Sequence, residues 1–152
     1  MKYLRGCKIE QIGIANDFYE AYKRCFTGDE SEKIIAIPGF TNGFFACELY
    51  LKILTDNKIN DHDLFKLYLG INERQKRSLL EQYSKVQQDG LPFEDFLQKV
   101  NNGFIFWRYI YEEINKSFED KYPFLYSNIF LSLFLPILKQ MAGDYLEDLK
   151  RE

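Results

Sequence analysis

An all-α fold, an antiparallel bundle of four to five main helices plus a short one, is predicted by three features of the sequence. Apolar residues recur at intervals of three and four in segment after segment, the mark of helices with one buried face. Two stretches, Gly43 to Thr55 and Phe93 to Ile114, are so rich in apolar residues that they belong at the centre of such a bundle. Only Ile34 to Ile37 reads as a strand, and a lone strand has nothing to pair with, so it is expected to be an apolar loop or a packed extension.

The first helix is read over Ile9 to Phe26, where Ile12, Ala15, Tyr19, Tyr22 and Phe26 form a stripe between charged residues. A polar, glycine-broken link follows from Thr27 to Glu32. Pro38-Gly39 then punctuates the chain, and Thr41 or Asn42 is placed to cap the second helix, Gly43 to Thr55. Within that helix only Glu48 and Lys52 are charged, four apart in the favourable order. Asp61 or Asp63 is placed to cap a short helix carrying Leu64, Phe65, Leu67, Tyr68 and Leu69, which Gly70 ends. Asn72 caps a more polar edge helix reaching about Gln88, and Asp89-Gly90-Leu91-Pro92 stops it. From Phe93 the helical spacing runs unbroken across Gly103 to Ile114, and a last helix, about Phe124 to Leu149, contains Pro136, where a kink is expected.

At 152 residues, one domain over 1–152 is expected. Aromatic residues make up 17%, with 14 Phe and 11 Tyr, so ring packing must supply much of the core. A net charge of −3 gives no global positive field for nucleic acid or anionic membranes, so any such contact has to be local. Cys7, Cys25 and Cys47 are scattered and suit reduced cytoplasmic thiols, and with a single histidine they exclude a structural zinc site. The N-terminal residues contain no apolar core of a secretory signal. Tyr122 to Leu138 carries no charge, and membrane association is one reading of it. Asn128, Ser127, Ser132, Pro136 and the acidic residues that follow favour a buried bundle helix and no membrane.

Few residues offer chemistry. His62 is the sole histidine and lies between two aspartates in a turn, a surface position by default. Arg108 and Glu112 sit four apart in an aromatic stretch, where an arginine must find a carboxylate or water. Glu48, in the equally apolar second helix, is its expected partner in a register-fixing pair. Cys47 reads as a small core residue, and no glycine-rich phosphate loop occurs. Lys8, Lys23 and Arg24, with Lys76, Arg77 and Lys85, read as solvated basic faces.

Three segments, Phe44-Phe45-Ala46-Cys47-Glu48-Leu49-Tyr50-Leu51-Lys52-Ile53-Leu54, His62-Asp63-Leu64-Phe65-Lys66-Leu67-Tyr68 and Trp107-Arg108-Tyr109-Ile110-Tyr111-Glu112, resemble the HEPN superfamily. They match its second-helix, "HDL" and "WRYxYE" motifs in the family's order, over about residues 9 to 145. The resemblance implies a HEPN-like bundle that homodimerises around a shared cleft lined by the late helix. Active members of that family are metal-independent ribonucleases, often toxins or antiviral effectors, with four to six residues between an arginine and the histidine that follows it. Arg108 matches that arginine, but Glu113, Ile114 and Asn115 occupy the histidine's positions. The resemblance therefore implies a cytoplasmic, cofactor-free, non-catalytic binding or regulatory component of a bacterial defence or toxin–antitoxin system, with protein or RNA as partner. Glu48, Lys52, Arg108, Tyr109 and Glu112 would form its polar cluster. The alternative is a ribonuclease of the same fold that uses Arg108 with Glu113 or with His62 as base.

Overall fold

The computed structural model describes residues 2–27, 35–87, 90–110 and 122–151, with side chains from Cys7 onward and, in the last helix, from Phe124. The chain is an all-α helical bundle, and no strand occurs among the described residues. Seven helical segments follow one another there: α1 (Lys2–Phe26), α2 (Ala36–Leu54), α3 (Leu64–Gly70), α4 (Glu73–Val86), α5 (Phe93–Val100), α6 (Gly103–Arg108) and α7 (Tyr122–Arg151). Helix α2 is the hub. It packs against α1, α3, α6 and α7, and Phe40, Phe44, Ala46, Cys47, Tyr50 and Leu51 are fully buried along it. This is the centrality that its all-round apolar sequence predicts.

Helix α7 closes the other side against α1, α2, α4 and α5. By length and composition it could cross a membrane. In the bundle, Phe130, Leu131, Phe134, Leu135 and Leu138 of this helix are sealed from solvent. Rings from three helices interlock around it. Phe134 lies 4.7 Å from Phe130 and 5.3 Å from Phe93, which meets Tyr83 edge-on at 5.0 Å. Each fully buried ring of this kind contributes about 1.5–3 kcal/mol through the area it withdraws from water. On the other side, Trp107 of α6 donates its indole N–H to the buried Ser127 hydroxyl at 2.9 Å, which satisfies two polar groups inside the core. Pro136 stands within α7, and the helix continues through it to Arg151.

Three boundaries differ from those read in the sequence. Helix α1 starts at Lys2 rather than Ile9. Helix α2 starts at Ala36 rather than Gly43, because Pro38 falls in the first turn, where its missing N–H has no intrahelical role. Thr41 and Asn42 accordingly do not cap; their side chains donate back to the carbonyls of Ile37 and Pro38 at 3.0 and 2.9 Å. The long helix expected across Gly103 is instead two short ones, broken at Asn101 and Asn102. The Asn101 carbonyl accepts from the Leu64 N–H at 3.0 Å, so it bonds across to the start of α3 instead of along its own axis. Gly103, just past the break, lies against the Phe44 ring: a Cβ there would stand 2.5 Å from a ring carbon, so only glycine lets α6 approach α2 so closely. Ile114, the far end of the expected helix, lies outside the described residues.

Candidate functional site

A buried carboxylate is the root of the site. Glu48, in the middle of α2, is 1% exposed, and an isolated charge there would be costly to desolvate. Two cationic or potentially cationic groups meet it. Lys52, one turn on, reaches Oε1 with its Nζ at 2.6 Å, while His62 Nδ1 stands 2.9 Å from Oε2. The Glu48–Lys52 pair is the one its spacing predicts. The histidine arrives from elsewhere, on the link between α2 and α3.

That link is held in place by its own aspartates. Asp61 accepts from the Asp63 N–H at 3.0 Å and pairs with Lys66 Nζ at 3.0 Å. Asp63 caps α3, its Oδ1 accepting from the Phe65 and Lys66 N–H groups at 2.9 and 3.1 Å, and its Oδ2 accepts from Asn101 Nδ2 at 3.3 Å. These bonds hold His62 over α2 although its side chain is 53% exposed. Because a carboxylate only accepts, Nδ1 carries the proton toward Glu48, and Nε2 is the ring nitrogen left for a ligand.

Aromatic rings join the histidine to the arginine. The imidazole centre lies 5.7 Å from the Phe104 ring, and the Arg108 guanidinium stands 5.6 Å from the same ring and 5.4 Å from that of Tyr109. Phe104 is stacked in turn on Phe45 at 4.7 Å, which anchors it to α2. The imidazole, the guanidinium and the Tyr109 ring are exposed, and the Phe104 ring that both cationic groups approach is buried beneath them. Such a surface suits a phosphate next to an unpaired base: the planar guanidinium matches phosphate oxygens, and the exposed Tyr109 ring can accept the stacking of a base.

The expected pairing of Glu48 with Arg108 is not what forms. His62 and Lys52 occupy both carboxylate oxygens, and Arg108 is exposed and makes no ion pair among the described residues. The break at Asn101 explains this, since it ends α5 early and leaves Arg108 at the outer end of a six-residue helix. Tyr109 is exposed beside it, whereas Glu112 and Glu113 lie outside the described residues. Lys8 is also misplaced by the sequence reading, being buried rather than part of a solvated basic face. Cys47, next to Glu48, is fully buried as expected, and desolvation pushes its thiol well above the ordinary range.

Phe104 as the buried ring shared by His62 and Arg108, and His62 as the partner of Glu48, are what the residues alone did not yield. A signal for each existed. Phe104 and Arg108 are four apart on one helix, and a lone acid in an apolar helix demands a cation from outside it. No protein-family model, curated protein or solved structure matches the chain.

Proposed function

We propose that the protein is a HEPN-like bundle that binds RNA at the His62–Arg108–Tyr109 surface and serves as a binding or regulatory component. Its setting, on the same resemblance, is a bacterial defence or toxin–antitoxin system, with the chain acting as a cytoplasmic homodimer. The observation that carries this reading is the placement of Arg108. Its exposed guanidinium lies over the rings of Phe104 and Tyr109, and a planar fork of donors at the surface matches phosphate oxygens. In a chain of net charge −3, binding through one such surface predicts modest affinity and a shallow salt dependence set by a few phosphates.

A second reading, metal-independent ribonuclease action, is favoured by the Glu48–His62 bond. A buried carboxylate that orients an imidazole is the arrangement of a general base, here able to take the proton of an attacking ribose 2′-hydroxyl while Arg108 holds the phosphate; the P–O5′ bond breaks as the 2′-oxygen bonds to phosphorus, and the departing 5′-oxygen takes a proton from water.

Fluorescence anisotropy with a labelled single-stranded RNA, followed by denaturing gels of the same samples, tests both. Binding that falls about ten-fold or more in Arg108→Ala at unchanged helicity is the expected result. Absence of binding by the unaltered protein, or an unchanged affinity in Arg108→Ala, overturns the proposal. Cleavage lost in both His62→Ala and Arg108→Ala replaces the binding reading with the nuclease one.

A further inference from the structure

Away from the His62 surface, a cavity of about 260 Å³ lies between the end of α4, helix α5 and helix α7. Its walls include the rings of Tyr83, Phe96 and Tyr126 and the alkyl chains of Ile129 and Leu133. Gln87, the residue that closes α4, also lines it. Among the described residues, Gln87 Oε1 is the one buried side-chain polar atom without a hydrogen-bond partner.

An unpaired amide oxygen at the wall of a mostly carbon-lined hollow is a vacant acceptor, and native proteins keep few of these. A water would need two to four polar partners to stay beside it; Ser132, also in the wall, already donates its hydroxyl to the Ile129 carbonyl at 2.9 Å, and most of the remaining lining is ring and alkyl carbon. The volume exceeds the roughly 150 Å³ that holds benzene and falls below the about 300–1,000 Å³ of drug-sized sites. Phe96 and Tyr126 meet edge to face at 5.6 Å, so the lining offers both ring faces and ring edges to a flat guest.

We infer that this cavity is a binding site for a small aromatic molecule of bicyclic size that donates one N–H or O–H hydrogen bond to Gln87 Oε1. The rings supply non-specific affinity, and the amide oxygen supplies discrimination. A guest without the donor leaves Oε1 as poorly satisfied as it is in the empty cavity.

Indole and indene, nearly identical in shape but differing in the N–H, are the probes. Titrated into the full-length ¹⁵N-labelled protein, indole is expected to saturate below about 1 mM. Indene should bind about ten-fold more weakly, the difference made by one hydrogen bond to an otherwise unpaired buried group. Gln87→Leu should bring the two affinities together, and Leu133→Trp, which fills the cavity, should abolish both. Equal binding of indole and indene by the unaltered protein, no saturable shift in the millimolar range, or indole binding undiminished in a folded Leu133→Trp protein each overturn the inference. The probe pair on the unaltered protein is decisive even where a variant fails to fold.

Discussion

Two charged side chains are buried among the described residues, and they are put to different uses. Lys8 of α1, 6% exposed, donates to the Ile53 carbonyl at 3.1 Å and pairs with Asp56 at 3.3 Å. Asp56 and Asn57 adopt left-handed backbone angles at the end of α2, and the Asn57 N–H closes back on the Lys52 carbonyl at 2.8 Å. The Tyr145 hydroxyl of α7 donates to the same Asp56 carboxylate. Lys8 thus supplies a cation to the negative end of a helix dipole and ties α1, α2 and α7 into one joint. Glu48 faces the opposite way: of its two partners, one is mostly buried and the other, His62, opens to solvent. A buried charge whose partners are structural makes a joint, whereas one that reaches out to an exposed titratable ring makes a surface with chemistry.

That contrast predicts unequal responses to substitution. The largest effect belongs to the double variant Lys52→Met/His62→Ala, which strips both partners from a carboxylate that cannot reach water. Stability, read by urea denaturation, should fall by about 3–5 kcal/mol, and adding Glu48→Leu should restore most of it by removing the stranded charge. A fall no greater than that of His62→Ala alone would mean that Glu48 swings out to solvent. Next comes Lys8→Met, expected to cost about 1 kcal/mol because the Asp56 carboxylate and the Ile53 carbonyl lose a shared donor, the carbonyl keeping the Asp56 N–H at 3.1 Å, while RNA affinity stays within about two-fold. Lost RNA binding in Lys8→Met would erase the distinction between joint and surface.

Where the determinants were local, the sequence was readable. Asn72 caps α4 and, with Gln75, forms a reciprocal capping box, and Asp63 caps α3 from the position its spacing indicates. Helix α2 was placed at the centre from composition alone. What stayed hidden depended on distant chain. The break between α5 and α6 follows from a bond between Asn101 and Leu64, and periodicity that continues through Gly103 carries no trace of it. The partner of Glu48 was hidden for the same reason. Arg108 has the right charge and a neighbouring apolar helix, but the turn at Asn101 directs it outward and the tethered link delivers His62 instead. Flanking aspartates made His62 look like ordinary surface, and those aspartates are the anchors that hold it over Glu48.

The smallest expected effect tests those anchors. Asp61 is partly exposed, and its carboxyl is held below its ordinary value of 3.8 first by the Asp63 N–H and then by Lys66. A depressed folded-state value means that its contribution to stability is present above 3.8 and disappears as the pH falls through the lower folded value. Asp61→Asn keeps an oxygen for the Asp63 N–H but removes the charge facing Lys66. Urea midpoints measured downward from pH 5 should therefore fall less steeply below 3.8 in Asp61→Asn than in the unaltered chain, with the two curves differing by a constant at higher pH. RNA affinity near neutrality should change by less than about two-fold, since one neutral hydrogen bond still closes the turn. Parallel curves across the acid range would mean that the Asp61 charge is dispensable, and that Asp63, through its cap and its bond from Asn101, holds His62 over Glu48 by itself.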